Sequence, residues 1–175
     1  MKTKDLLESL ELSTFTAFDF ETTGLDPNND RIIELAAIRF EHGEIVDRFV
    51  TLINPEIEIP PLITEITGIS NEMVRKSPKE DSIVDDFLNF LDKYPLVAHN
   101  IHFDEQFLSR ICSRHNKKEN SFVKYDTLQL ARSLLFEQPV FNLSALSDFY
   151  GLSAEDAHRA ENDTENTGLI FIELI

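Results

Sequence analysis

The sequence predicts an α/β layer fold with a mixed sheet, and three observations point there. The first third holds apolar-rich runs joined by a hairpin signal. The remainder alternates helical periodicity with short apolar runs, and the chain is sized for one core. For 175 residues and 20.1 kDa, size scaling gives roughly 29,000 Å² of surface unfolded and about 8,700 Å² folded. About 70% of the surface is then buried, enough for one full core and too little for two. Fourteen Phe and no Trp give that core its bulk. Residues 1–175 thus read as one domain, with 1–12 as an N-terminal helical extension.

Within that extension Leu6, Leu7 and Leu10 share one face of a short amphipathic helix. A strand runs from Phe15 to Glu21 and ends in Thr22, Thr23 and Gly24. Ile32–Phe40 and Ile45–Ile53 form a hairpin across Glu41-His42-Gly43-Glu44. Asn54, Pro55, Pro60 and Pro61 mark a loop that enters a short helical turn. Ile83, Val84, Phe87, Leu88 and Leu91 give Asp81–Leu91 helical spacing. Leu96–Ala98 is a short buried strand, followed by a helix at Phe103–His115. Phe122–Tyr125 is expected as another strand, with Asp126 capping a helix at Thr127–Leu135. Asn142–Tyr150 is a helix stopped by Gly151, and Asp148 and Asp156 read as further caps. The last helix begins near Arg159. Its closing apolar run, Leu169 to Ile175, has no capping residue and is consistent with a domain cut from a longer chain.

Thirty-two acidic and 16 basic residues leave a formal charge of −16. A simple phosphate-binding face would be basic, so the charge by itself argues for an acidic, solvated surface. A second reading stays open: clustered carboxylates await divalent cations, which invert the local sign. No apolar run is long enough to span a bilayer and no charged-then-apolar leader opens the chain, so no membrane partner is expected. The single cysteine, Cys112, excludes an internal disulfide framework and a multi-cysteine zinc site. A cytoplasmic, reducing setting is the default.

Three groups of residues carry chemistry. In Asp19-Phe20-Glu21 the acids are two apart in a strand and point to one face. They are either a solvated strand face or, given the apolar flanks Phe15, Ala17, Phe18 and Phe20, a buried pair that needs a cation between like charges. Asp104 follows His99-Asn100 early in a helix, where a carboxylate either complements the helix dipole or joins a site. His158-Arg159-Ala160 precedes Asp163 at a helix entrance. That pair either sits on the surface or places a general base and an acid at one cleft.

In this order the three pieces resemble the DEDD exonucleases, in the histidine-containing, DnaQ-like branch that includes epsilon-like proofreading subunits of replicative polymerases. Asp19-Phe20-Glu21-Thr22-Thr23-Gly24-Leu25 fits the first motif in full; five fixed positions arise by chance in about 1 in 20,000 chains of this length. His99-Asn100 with Phe103-Asp104 and Phe107-Leu108 fits the second, and His158-Arg159-Ala160 with Asp163 the third. Thr67-Gly68-Ile69-Ser70 resembles a further turn of that family, although some proofreading members carry histidine where Thr67 stands. The likeness spans about residues 13–175.

The resemblance implies a ribonuclease H-like fold, with a mixed central sheet of about five strands flanked by helices, and a two-metal 3′→5′ exonuclease. Two Mg²⁺ or Mn²⁺ ions about 3.5–4 Å apart would be held by Asp19, Glu21, Asp104 and Asp163. By the same resemblance Asp19 bridges both ions, Glu21 and Asp163 bind the ion on the catalytic side, and Asp104 helps hold the other through water. His158 takes the proton of the attacking water. Thr22, Thr23, Gly24 and Leu25 bind the terminal nucleotide, with Gly24 letting backbone N–H groups approach the sugar. Leu25 is either a wedge beside the terminal base or a core residue of the loop. His99 and Asn100 line the cleft, or His99 is a buried structural residue. His42, His102 and His115 read as surface groups, and Glu34 is assigned no catalytic role.

The implied activity is release of nucleoside monophosphates from single-stranded DNA 3′ ends in proofreading or repair, with a fused or associated polymerase or helicase as partner. Thr22-Thr23 resembles the DNA-acting members. Within the superfamily the alternative is an exoribonuclease that trims RNA 3′ ends, since the site chemistry cleaves both. The alternative of another class is an inactive docking module in a larger helicase or polymerase. The intact set of Asp19, Glu21, Asp104, His158 and Asp163 counts against silence.

Overall fold

The computed structural model describes residues 3–152 and 159–175. Its five-stranded mixed sheet has the order β3-β2-β1-β4-β5. β1 (Thr14–Thr22) is central: it pairs antiparallel with β2 (Ile32–Glu41) and parallel with β4 (Leu96–Ala98). β3 (Glu44–Leu52) lies antiparallel outside β2, and β5 (Lys124–Asp126) parallel outside β4. The β2–β3 turn carries positive φ at His42 and Gly43, 52° and 87°, as a two-residue hairpin loop demands. The helices described are α1 (Thr3–Ser9), α2 (Pro61–Thr67), α3 (Asn71–Val74), α4 (Glu80–Leu91), α5 (His102–Arg114), α6 (Thr127–Leu134), α7 (Leu143–Tyr150) and α8 (Ala160–Leu174). None is long and apolar enough to cross a membrane.

Strand alternation assigns β1 two different tasks. Phe18 and Phe20 point to one face and pack with Val84 and Phe87 of α4 and Phe107 and Ile111 of α5. Phe15 and Ala17 point to the other and pack with Phe40, Val97 and Phe171 of α8. Asp19 and Glu21 continue this second face beyond its apolar part, so the acids look toward α8.

How near α8 comes is set by a glycine. A β-carbon on Gly168 would stand 2.2 Å from the Phe40 ring. That ring is fully buried and stacked on Phe15 at 4.9 Å, so it has nowhere to retreat.

The caps follow local chemistry. Asn142 Oδ1 accepts the Ala145 N–H at 2.8 Å, and Gly151, at φ 68°, closes α7. Asp126 Oδ1 accepts the Leu128 N–H at 3.0 Å.

Several elements differ from expectation. β5 begins at Lys124 and not Phe122, because its register is dictated by β4, where Leu96 faces Lys124. Phe122 instead packs sideways into the core, and Val123 is exposed. Asp148 lies inside α7 and its side chain caps no helix among the described residues, while Asp156 is outside them. Of the α1 leucines, Leu7 is buried but Leu10 is half exposed past the helix end. His115 is no free surface group, since its Nε2 lies 2.9 Å from Glu80 Oε1.

Candidate active site

The acidic residues gather at the carboxyl end of β1. Carboxylate oxygens of Asp19, Glu21 and Asp163 all lie within 4.8 Å of one another. Two come from one strand face and the third from the first turns of α8, so the site depends on how helix meets sheet. Asp104, 2% exposed, enters from the opposite side at the start of α5. Its Oδ1 accepts the Phe20 N–H at 3.2 Å, which ties α5 to β1 between the two acids. Three of the four expected acids therefore converge directly, and the fourth braces the strand beneath them.

Glu34 supplies a part that motif reading missed. It faces Glu21 across the β1–β2 register, is 1% exposed, and interrupts the otherwise apolar run from Ile32 to Ile38. Arg159 Nε donates to Glu34 Oε2 at 3.0 Å and Nη2 to Oε1 at 2.5 Å. Glu34 Oε2 also accepts the Ala160 N–H at 3.0 Å, serving as the N-terminal cap of α8. This fork fixes the entrance of the helix that carries Asp163. A lone acid within the apolar run Ile32 to Ile38 was the available signal.

The expected substrate residues lie in the loop that leaves β1. Thr22 Oγ1 donates to the Gly24 carbonyl at 2.7 Å and Thr23 Oγ1 to Asp30 Oδ1 at 3.0 Å. Both hydroxyls are thus spent on the loop itself. Gly24 is required for a reason closer to hand than substrate: an added β-carbon would lie 2.4 Å from Asp30 Oδ2. Leu25 is 82% exposed at the tip, which excludes the core-residue alternative. His99 is half-buried, with Nδ1 2.9 Å from Thr127 Oγ1, and burial holds its imidazole below the ordinary histidine range. Asn100 is exposed, and its N–H donates to Asp126 Oδ1 at 2.9 Å. Thr67 is buried, donating to the Ile63 carbonyl and accepting from Ile69 within the α2 turn. His158 lies outside the described residues.

The electrostatics of the cluster decide what it is for. Burial, then Asp163 and Glu34, push the Asp19 carboxyl up to about 8. Burial, then Asp19, Asp163 and Glu34, push Glu21 up to about 9, against the pull of Arg159. Burial and Asp19 also raise Asp104 well above the carboxylate range.

A family model described as exonuclease, of the RNase T type, matches residues 16–171. The chain belongs to this exonuclease family.

It is 39% identical over 163 residues to the DNA polymerase III subunit epsilon of Treponema pallidum, covering 92% of this chain and 76% of that one. It is 38% identical over 167 residues to a PolC-type DNA polymerase III of Thermotoga petrophila, covering 95% of this chain and 12% of the polymerase. The chain therefore spans about an eighth of the PolC-type relatives. Among solved structures, exonuclease X in complex with 5′ overhanging duplex DNA has a TM-score of 0.72 at 25% identity, covering 91% and 90% of the two chains. E. coli exonuclease I in complex with a dT13 oligonucleotide has a TM-score of 0.82 at 23% identity, covering 93% and 41%. The sheet order and flanking helices are those of a ribonuclease H-like exonuclease fold.

The exonuclease residues fit a hard divalent cation. Every donor is a carboxylate oxygen, the spacing permits shared coordination, and the raised carboxyls mark negative charge that the protein alone does not neutralise. A consequence for stability follows. These acids have folded-state values above their ordinary 3.8 and 4.5. The protein is therefore most stable below about pH 4 as far as they are concerned, and loses that contribution as pH rises through about 8 to 9. In EDTA the melting temperature should fall between about pH 5 and pH 9, and Mg²⁺ or Mn²⁺ should reverse the fall, more so at higher pH. A flat profile in EDTA would show that the acids are not crowded.

Proposed function

We propose that this chain is a metal-dependent 3′→5′ exonuclease domain that releases nucleoside monophosphates from single-stranded DNA 3′ ends, in proofreading or repair and in company with a polymerase. The observation that carries the reading is the cluster of Asp19, Glu21 and Asp163 oxygens within 4.8 Å of one another at the end of the central strand. Relatives named as DNA polymerase III favour DNA over RNA as the substrate.

Asp19, Glu21 and Asp163 would hold two Mg²⁺ or Mn²⁺ ions, with Asp104 assisting from the α5 side. Bound there, the ions would supply Lewis-acid polarisation of the phosphate and stabilise the leaving oxygen. The rest falls to the chain. His158, adjacent in sequence to the anchored Arg159, accepts the proton of the attacking water. The water oxygen bonds to the terminal phosphorus, the bond to the preceding 3′ oxygen breaks, and that oxygen leaves to be protonated. The loop of Thr22, Thr23 and Gly24 offers backbone groups to the terminal sugar, Leu25 stands against the terminal base, and Asn100 borders the cleft with His99 behind it. None of these groups reads a base edge, so sequence preference is weak.

The test uses 3′-labelled linear DNA, the same sequence as RNA, and a circular single strand, each with Mg²⁺, Mn²⁺ or EDTA. Label should leave linear DNA only with metal, and the circle should survive. A circle degraded as quickly as the linear strand would overturn the exonuclease reading; faster loss from RNA would move the substrate to the RNA class.

A further inference from the structure

We propose that the apolar groove between the turn after α6 and the end of α7 docks an amphipathic helix of a partner protein, apolar along one face and flanked by lysine or arginine. The inference is independent of which nucleic acid enters the cleft.

The groove measures about 510 Å³ and is lined by Leu135, Phe136, Glu137, Gln138 and Phe149. Phe136 is 90% exposed and Phe149 53%, and Leu134 and Val140 of the same connection are half exposed as well. The Gln138 N–H donates to the Leu135 carbonyl and closes a turn with Phe136 at its first corner. Turn chemistry favours Pro, Asp, Asn, Ser or Gly, so the turn itself does not ask for an aromatic ring. The groove is built on the core: Leu135 packs against Ala131, Leu146, Ile170 and Leu174, and the Phe149 ring stands edge-on to Tyr150 at 4.9 Å. Its shape is therefore set before any partner arrives.

The groove lies away from the acids. β5 runs parallel to β4, and β4 to β1, so all three strands end on the edge of the sheet where the acids gather. α6 starts there and its eight residues carry the chain about 12 Å back. Likewise Asp163 opens α8, and Leu174, at the other end of that helix, packs in the cluster beneath the groove. A helix seated there leaves the cleft open.

Charge selects the occupant. Over residues 133–152 the sequence holds Glu137 and Asp148 and no lysine or arginine. Burial, then the charge of Glu173, raise the Tyr150 phenol, so a third acid stands near the ring against which Phe149 rests. The next base in the chain, Arg132, is within electrostatic reach of His99, toward the cleft. Apolar rings beside acids suit a helix that brings apolar anchors with basic flanks. A second copy would set these acids against their own kind, each copy at −16. Five lining residues also fall short of the roughly 20–30 a side that a stable dimer uses.

The probes are two labelled synthetic peptides of about 16 residues, roughly four turns of amphipathic helix. One is built of leucine and lysine, the other of leucine and glutamate. Fluorescence anisotropy should show the lysine peptide bound at least about tenfold more tightly. Backbone amide shifts during the titration should centre on residues 134–140 and on Phe149. Phe136→Ser with Phe149→Ser should raise the Kd about tenfold, the loss expected of two anchor rings, and leave nucleotide release unchanged. Should the pair lower the melting temperature, Phe136→Ser alone, at the ring that touches least, is expected to raise the Kd at wild-type stability. Glu137→Lys with Asp148→Lys should move the preference toward the glutamate peptide. An unchanged Kd in the serine variants, or shifts centred on Asp19 and Asp163, would mean attraction by net charge alone and overturn the inference. Equal affinity for the two peptides would overturn the basic partner. A wild-type dimer in sedimentation that Phe136→Ser dissolves would give the groove to a second copy, and overturn it as well.

Discussion

Asp19→Asn protein is expected to release no nucleotide from a 3′-labelled oligonucleotide at any Mg²⁺ or Mn²⁺ concentration, a loss of at least about 10³-fold. Glu21→Gln should do the same. Both changes keep the side-chain volume and hydrogen-bonding shape, so the strand and its Phe18 and Phe20 packing are left intact. They remove one negative charge from a group of oxygens within 4.8 Å. The metal-free variant should therefore melt above the wild type at about pH 9, where Asp19 and Glu21 are otherwise forced to ionise together. Added metal should stabilise it less than it stabilises the wild type. Activity lost together with a lowered melting temperature would mean that the residues are structural. Metal-dependent activity retained in purified Asp19→Asn protein would sink the assignment.

His158→Ala is expected to lower turnover by roughly 10²–10⁴-fold while leaving Mn²⁺ affinity nearly unchanged. A base must be neutral to accept a proton, so the wild-type rate should climb with pH through the histidine range, about 6 to 7, and the variant should lose that step. Oligonucleotide turnover and calorimetric Mn²⁺ titration separate the possibilities. Turnover near wild type would show that His158 is no base. Collapse of Mn²⁺ binding would make it a ligand.

Much of the site was legible because its logic is local. Two acids at alternate positions of a strand flanked by Phe15, Ala17, Phe18 and Phe20 must share a face, and the structure places them so. The hairpin, the Asn142 and Asp126 caps and the stop at Gly151 are read from the same few neighbouring residues. What escaped is carried by contacts across the chain. Glu34 and Arg159 are 125 residues apart, and no periodicity announces their pairing. Asp30, seven residues from Thr23, folds back within its own loop and gives the loop glycine a purpose that its motif does not show. Leu25 and His99 were ambiguous because burial decides them, and burial belongs to the tertiary fold.

The contact between Gly168 and Phe40 acts as a fulcrum. Asp163 lies five residues up the same helix, about 7.5 Å along its axis, and leans toward acids that belong to the sheet. A methyl group at position 168 would meet a ring with no room to yield, and the helix would have to lift or tilt. Lifting the helix opens the gap between Asp163 and Asp19. Cations differ by only a few tenths of an ångström in the oxygen distances they accept, the smaller ion being the stricter. The absence of one side chain at position 168 therefore sets how closely Asp163 approaches the acids of the sheet, and with it the gauge of the acid cluster.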